Sequence, residues 1–145
     1  MAFELVRTET GYEGWGRYLI ATIRQPDGSV IRREVEDHGT AAAVLPYNGE
    51  RRTAILVRQF RAPVFVAERH DEMLEAIAGT MEDPDAETCA RREAMEEAGL
   101  RLGPLEHVVT GWAMPGISTE RAALYLAPYR QSDRVAAGEI GRAHV

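Results

Sequence analysis

Three glutamates, Glu93, Glu96 and Glu97, directly follow Arg92 in a stretch that reads as a helix. Spacings of three and four residues put their carboxylates on one helical arc about 100° wide. Like charges this close repel one another, and a divalent cation offsets that repulsion. Hard oxygen ligands in partial coordination, completed by water and phosphate, suit Mg²⁺, with Mn²⁺ as a substitute. The plainer reading is a solvated acidic face on which Arg92 pairs with Glu96. Ala86, Cys89 and Ala90 argue against it, because they fall on or near the same arc. A solvated face would more often carry polar side chains there. His38, His70, His107 and His144 show no ligand spacing and read as structural. Cys89 has no base partner in sequence and reads as a small packing residue.

The helix that carries the glutamates is expected over 84–98. Asp83 reads as its N-cap, Pro84 as its first position and Gly99 as the residue just past its end. Asp85 and Glu87 suit the positive end of its dipole. Upstream the pattern is strands. Arg17 to Arg24 is rich in aromatic and β-branched residues, Gln25-Pro26-Asp27-Gly28 is a turn, and Ser29 to Val35 completes a hairpin. Ala41 to Leu45 and Thr53 to Phe60 flank Asn48-Gly49, a strong turn signal, and predict a second hairpin. Residues 61–71 read as a loop and Glu72 to Ile77 as a short strand. Two more strands are expected near 105–111 and 121–127. Strands with an embedded helix imply a mixed-sheet α/β (α+β) domain.

The chain has 145 residues, enough for one domain with a sizeable core. Its net charge of −6 argues against a polyanion-binding surface, so no nucleic-acid partner is expected. A small anionic substrate remains compatible, because a bound metal supplies positive charge. No apolar run reaches the roughly 18 residues of a membrane span, so no membrane partner is expected. The N-terminus lacks the pattern of a signal peptide. One cysteine excludes an internal disulfide and fits a reducing cytoplasm.

The surroundings of the glutamates carry a resemblance. Glu75-Ala76-Ile77-Ala78-Gly79 is followed by an acidic loop and then by Arg91-Arg92-Glu93-Ala94-Met95-Glu96-Glu97-Ala98-Gly99-Leu100. This resembles the Nudix box, G-x5-E-x7-R-E-U-x-E-E-x-G-U. The match holds from Arg92 onward, with Ala94 a weak representative of the hydrophobic position. The first half departs: Gly79 to Arg92 is one residue shorter than the pattern, and the early Glu is missing or replaced by Asp85. Such a shortened loop looks like the GDP-mannose pyrophosphatase branch. The resemblance extends over roughly 15–138. Leu56-Val57-Arg58-Gln59-Phe60-Arg61 is similar to a strand of nucleoside-diphosphate-sugar pyrophosphatases. Met114-Pro115-Gly116-Ile117-Ser118-Thr119-Glu120 is similar to their Ser-Pro-Gly-Gly-x-Thr-Glu loop. Arg32-Arg33-Glu34-Val35 resembles a substrate-contacting segment of their N-terminal sheet.

The resemblance implies a Nudix αβα sandwich with a mixed sheet plus an N-terminal antiparallel sheet. It implies a single domain over 1–138, with the N-terminal sheet at about 1–37 and the core at about 38–138. The Ala78 carbonyl, Glu93 and Glu97 are the implied metal ligands, with Glu96 assisting catalysis. Arg33, Glu34, Arg61 and Gly79 are the implied substrate-binding residues, and Glu120 is implied in substrate contact or catalysis. The implied reaction is Mg²⁺-dependent hydrolysis of a nucleoside-diphosphate sugar of GDP-mannose or ADP-ribose type, by a homodimer. The alternatives are another nucleoside diphosphate derivative as substrate, or a non-catalytic Nudix-like binding module. Residues 139–145 back-translate to GAG ATC GGA AGA GCA CAC GTC, which resembles a sequencing adapter read as codons. A non-native tail and a truncated C-terminus are therefore expected, and with them the loss of a further acidic loop; the alternative is a short natural tail.

Overall fold

The computed structural model describes residues 2–82 and 85–137. The expected cap at Asp83 and Pro84 and the suspected tail at 139–145 lie outside the described residues. The chain forms two compact units. Of the described residues, one unit comprises 2–40 together with Gly111–Arg121; the other comprises 41–82, 85–110 and 122–137.

The first unit holds a three-stranded antiparallel sheet in the order β1-β2-β3: β1 (Glu4–Glu13), β2 (Arg17–Arg24) and β3 (Val30–Asp37). The β2–β3 hairpin follows the sequence pattern, with Leu19 opposite Val35 and Ile23 opposite Ile31. Its turn closes through Gly28, whose φ of 87° suits glycine, and Asp27 accepts from the Ser29 amide at 2.9 Å. The sequence reading assigned nothing to β1. That strand is exposed along almost its whole length and is interrupted by register shifts near Val6 and Gly11, so it lacks a clean alternation of apolar and polar residues.

In the second unit, β4 (Thr40–Asn48) carries β5 (Thr53–Ala54) and β8 (Ile77–Thr80) as partners, and the sheet continues through β10 (Arg121–Pro128) to β9 (Glu106–Trp112). β6 (Val57–Gln59) and β7 (Met73–Glu75) form a separate pair. The expected hairpin partner at Thr53 to Phe60 is therefore split: its start pairs with β4, while its end turns away to pair with β7. The strand expected over Glu72 to Ile77 is likewise divided between β7 and β8.

Two helices complete this unit. α1 (Ala62–Glu68) occupies residues expected to be a loop. Pro63 suggests a break, but it sits in the first turn, where its missing N–H has no helical partner to lose. Arg69 ends the helix in the left-handed conformation, φ 60°. α2 (Ala86–Ala98) starts later than expected: the cap is Asp85, which accepts from the Thr88 amide at 2.8 Å and the Thr88 hydroxyl at 2.9 Å. Gly99 ends it as expected, with φ 63°. A Cβ there would also lie 2.0 Å from the Ala136 carbonyl oxygen.

α2 packs against β8, and the core of the unit gathers around that contact. Cys89, Ala90 and Ala94 are fully buried there beside Val44 and Ile77. These small side chains let the helix approach the strand closely. That approach sets the distance between the helix carboxylates and the β8 backbone.

Candidate metal and substrate site

The residues singled out in the sequence fall into two groups. Ala78, Gly79, Glu93, Glu97 and Arg61 gather in the second unit; Arg33, Glu34 and Glu120 belong to the first.

In the second unit, Glu93 lies in a notch that exists because residue 79 has no side chain. A Cβ on Gly79 would stand 1.8 Å from Glu93 Oε1 and 2.1 Å from its Cδ. One turn later, Glu97 points to the same strand. Its Oε1 accepts from Gln59 Nε2 at 3.4 Å, and the neighbouring Ala78 backbone amide favours its charged form. Its Oε2 is sealed from solvent and has no hydrogen-bond partner among the described residues. Burial, and then the charge of Glu93, push the Glu97 carboxyl above the ordinary carboxylate range. A buried carboxylate oxygen left without a donor is a costly arrangement unless something else satisfies it.

The three glutamates do not act alike. Glu93 is 12% exposed, whereas Glu96 is 50% exposed and faces solvent. Arg92 bridges the two, with Nη1 2.8 Å from Glu93 Oε1 and 3.1 Å from Glu96 Oε2. The Arg92–Glu96 pair of the plainer reading is therefore real. It coexists with an inward pair, Glu93 and Glu97, that a solvated face does not explain. Among the described residues no three of His, Cys, Asp and Glu converge as a metal-holding group. The oxygens at hand are these two carboxylates and the carbonyls of β8. Asp85, which stands at the early Glu position of the box, is committed to capping α2.

Arg61 forms a two-point pair with Glu75, through Nε at 2.8 Å and Nη2 at 2.6 Å. The Glu75 carboxylate, and beyond it the charge of Glu97, raise the pKa of Arg61. Two residues here were missed in the sequence. Gln59 lies two residues from buried Val57, on the inward side of β6, so strand alternation was the available signal. Glu75 gave none, because its partner lies across the β6–β7 pair. Cys89 is buried as expected, and its thiol sits 3.7 and 3.6 Å from the carbonyl oxygens of Gly79 and Thr80.

In the first unit, Arg33 and Glu34 line a cavity of about 470 Å³ with Ile20, Arg32, Gly116 and Ile117. Tyr18 donates to Glu34 Oε2 at 2.6 Å, and this bond holds the Tyr18 hydroxyl above its usual range. Arg32 pairs with Glu9 at 2.9 Å, while Arg33 Nη1 donates to the Arg32 carbonyl at 2.9 Å. Glu120 ends the loop 113–120, whose backbone closes with Ala113 N–H donating to the Glu120 carbonyl at 3.0 Å.

A carboxylate pair on a capped helix, set against a glycine-bearing strand, is the arrangement expected of the Nudix box. The NUDIX domain model matches residues 37–138, and the chain belongs to that family. It is 41% identical over 125 residues to a GDP-mannose pyrophosphatase of Cronobacter sakazakii, covering 84% of this chain and 65% of that one. It is 38% identical to a GDP-mannose pyrophosphatase of Klebsiella pneumoniae, with 84% and 63% covered. The chain thus spans just under two thirds of the curated relatives it matches. A solved structure described as an ADP compounds hydrolase superposes with a TM-score of 0.75 at 14% identity, over all of this chain and 75% of that one. That likeness establishes the Nudix fold expected from the sequence. Among the described residues no helix is long and apolar enough to cross a membrane.

Proposed function

We propose that this chain hydrolyses the diphosphate of a nucleoside-diphosphate sugar, of GDP-mannose or ADP-ribose type, to a nucleoside monophosphate and a sugar phosphate. The observation that carries the reading is the sealed, donorless Oε2 of Glu97 beside Glu93 in its glycine notch. Those oxygens fit a divalent cation, Mg²⁺ or Mn²⁺, held by Glu93, Glu97 and the Ala78 carbonyl. When bound, the cation orients and neutralises the diphosphate and lowers the pKa of the attacking water. The residues of the chain do the rest. Gly79 keeps Glu93 within reach of the strand, and Gln59 orients Glu97. Arg92 holds Glu96 at the rim of the site, where it assists. Arg61 presents a planar guanidinium suited to a phosphate. Arg33 and Glu34 offer a donor and an acceptor for the base or sugar, and Glu120 touches the sugar-phosphate.

The names of the similar GDP-mannose pyrophosphatases support the sugar-nucleotide reading over other diphosphates. We also read the chain as a cytoplasmic homodimer. Exposed Leu5, Val6, Tyr12 and Trp15 in and beside β1 support the dimer, because a bare apolar edge favours a partner. A panel of nucleotide sugars with Mg²⁺, read by released monophosphate, tests the function. Release from GDP-mannose or ADP-ribose that chelation stops is expected. Cleavage confined to dinucleotides or triphosphates would overturn the substrate class.

A further inference from the structure

The β1–β2 turn, the end of β3 and the loop 113–120 meet around one imidazole. His38 Nε2 lies 3.7 Å from Glu36 Oε2, and its Nδ1 lies 3.8 Å from Glu120 Oε2. The ring stacks on Trp15, with centroids 5.2 Å apart at 26°. Gly16 makes room for it: a Cβ there would sit 3.0 Å from His38 Cβ and 3.3 Å from the Asp37 carbonyl oxygen. The loop is tied to β3 by its backbone and by Thr119 as well. Glu36 N–H donates to the Ile117 carbonyl at 2.8 Å, and Thr119 N–H donates to the Glu36 carbonyl at 2.9 Å. The Thr119 hydroxyl donates to Asp37 Oδ1 at 2.8 Å. Among the described residues, the charged partner of the Glu120 side chain is His38.

We propose that His38 is a positioning residue for Glu120: as an imidazolium between Glu36 and Glu120 it clasps the loop glutamate to the end of β3, and it releases it on losing its proton. Separations near 3.8 Å are too long for a hydrogen bond from a neutral ring, yet within reach of an ion pair. The attraction therefore depends on the ring's charge. The charged groups facing the ring are Glu36 and Asp37 of β3, Glu120 of the loop, and Arg17 of β2, which is engaged with Asp37. Their sum is negative. Once the ring is neutral, Glu36 and Glu120 face each other with no cation between them. Histidine changes charge between about pH 5 and 8, whereas free carboxylates ionise near pH 4.

The effect on turnover rests on the reading that Glu120 touches substrate; the clasp does not. Amide hydrogen exchange of the intact chain tests it, with rates over 113–120 divided by the intrinsic rate at each pH. Protection of that loop is expected to fall severalfold from about pH 5.5 to about pH 8, while the β2–β3 hairpin serves as an unchanging reference. His38→Gln should show the low protection at both pH values, and His38→Lys the high protection at both. Equal loop protection at the two pH values in the wild type, or a His38→Gln variant that tracks the wild type, would overturn the clasp. KM for GDP-mannose with Mg²⁺ is expected to rise over the same interval in the wild type but not in His38→Gln, with kcat of the two moving in parallel. A clasp seen in exchange without that KM difference supports the clasp and overturns the substrate contact of Glu120.

Discussion

Gly79 and Glu93 occupy the same space: a methyl group on the glycine would sit 1.8 Å from the Glu93 carboxylate. The notch is a property of the pair, since β8 supplies the missing side chain and α2 supplies the acid that fills it. Gly79→Ala should therefore leave the fold in place, because the obstructing atoms are the free end of a flexible side chain. It should displace Glu93 and weaken Mg²⁺ affinity by roughly 10–100-fold, the scale seen when the surroundings of a ligand are disturbed. Titration calorimetry with Mg²⁺ or Mn²⁺ checks this, and unchanged affinity would remove Glu93 from the site.

Glu97→Gln keeps the side-chain volume and removes a charge that burial and Glu93 already disfavour. The metal-free variant is expected to melt at the same temperature as the wild type or higher. Its Mg²⁺-dependent release of monophosphate should be abolished. Full turnover in a folded variant would show that Glu97 is not a ligand.

Arg61 holds Glu75 by two points, a geometry that lysine cannot reproduce. Arg61→Lys should raise KM for the nucleotide sugar by roughly tenfold, equivalent to about 1.4 kcal/mol, with a smaller change in kcat. Steady-state kinetics at saturating Mg²⁺ gives both values. An unaltered KM would confine Arg61 to a structural pair with Glu75.

Ala94 stands at the hydrophobic position of the box, and no part of it is exposed. It packs within the core cluster of the unit, where α2 meets β8. Ala94→Leu is expected to lower stability by about 1–3 kcal/mol through overpacking. Urea denaturation measures it, and a neutral result would mean that the helix can move off the strand freely.

The Thr119 hydroxyl, and after it Arg17, hold the Asp37 carboxyl below its ordinary range. A carboxyl lowered in the folded state contributes stability above its unfolded value, near pH 3.9, and that contribution is lost as pH falls through the folded value. The melting temperature of the wild type should therefore drop more steeply below about pH 4 than that of Asp37→Asn. Parallel acid profiles would show that the pair contributes nothing to folding.

Much of this was legible in the chain itself. Spacings of three and four residues identify the acidic face of α2, and Gly99 marks its end, because helix periodicity and left-handed glycine are local properties. The β2–β3 hairpin was legible from its Pro-Asp-Gly turn for the same reason. Tertiary structure decided the rest. Spacing alone does not tell the three glutamates apart, and only the resemblance separates Glu96 from the other two; packing against β8 gives the physical reason, turning Glu93 and Glu97 inward and leaving Glu96 in solvent with Arg92. The start of α2 moved to Asp85 because Thr88, one turn on, supplies a second donor to that carboxylate. His38 looked structural because its partners, Glu36 and Glu120, lie on a strand and a loop that are far apart in the chain. Local rules of spacing and capping can be read along one dimension. Burial, the notch at Gly79 and the electrostatic surroundings of each carboxylate depend on which distant segments the fold brings into contact.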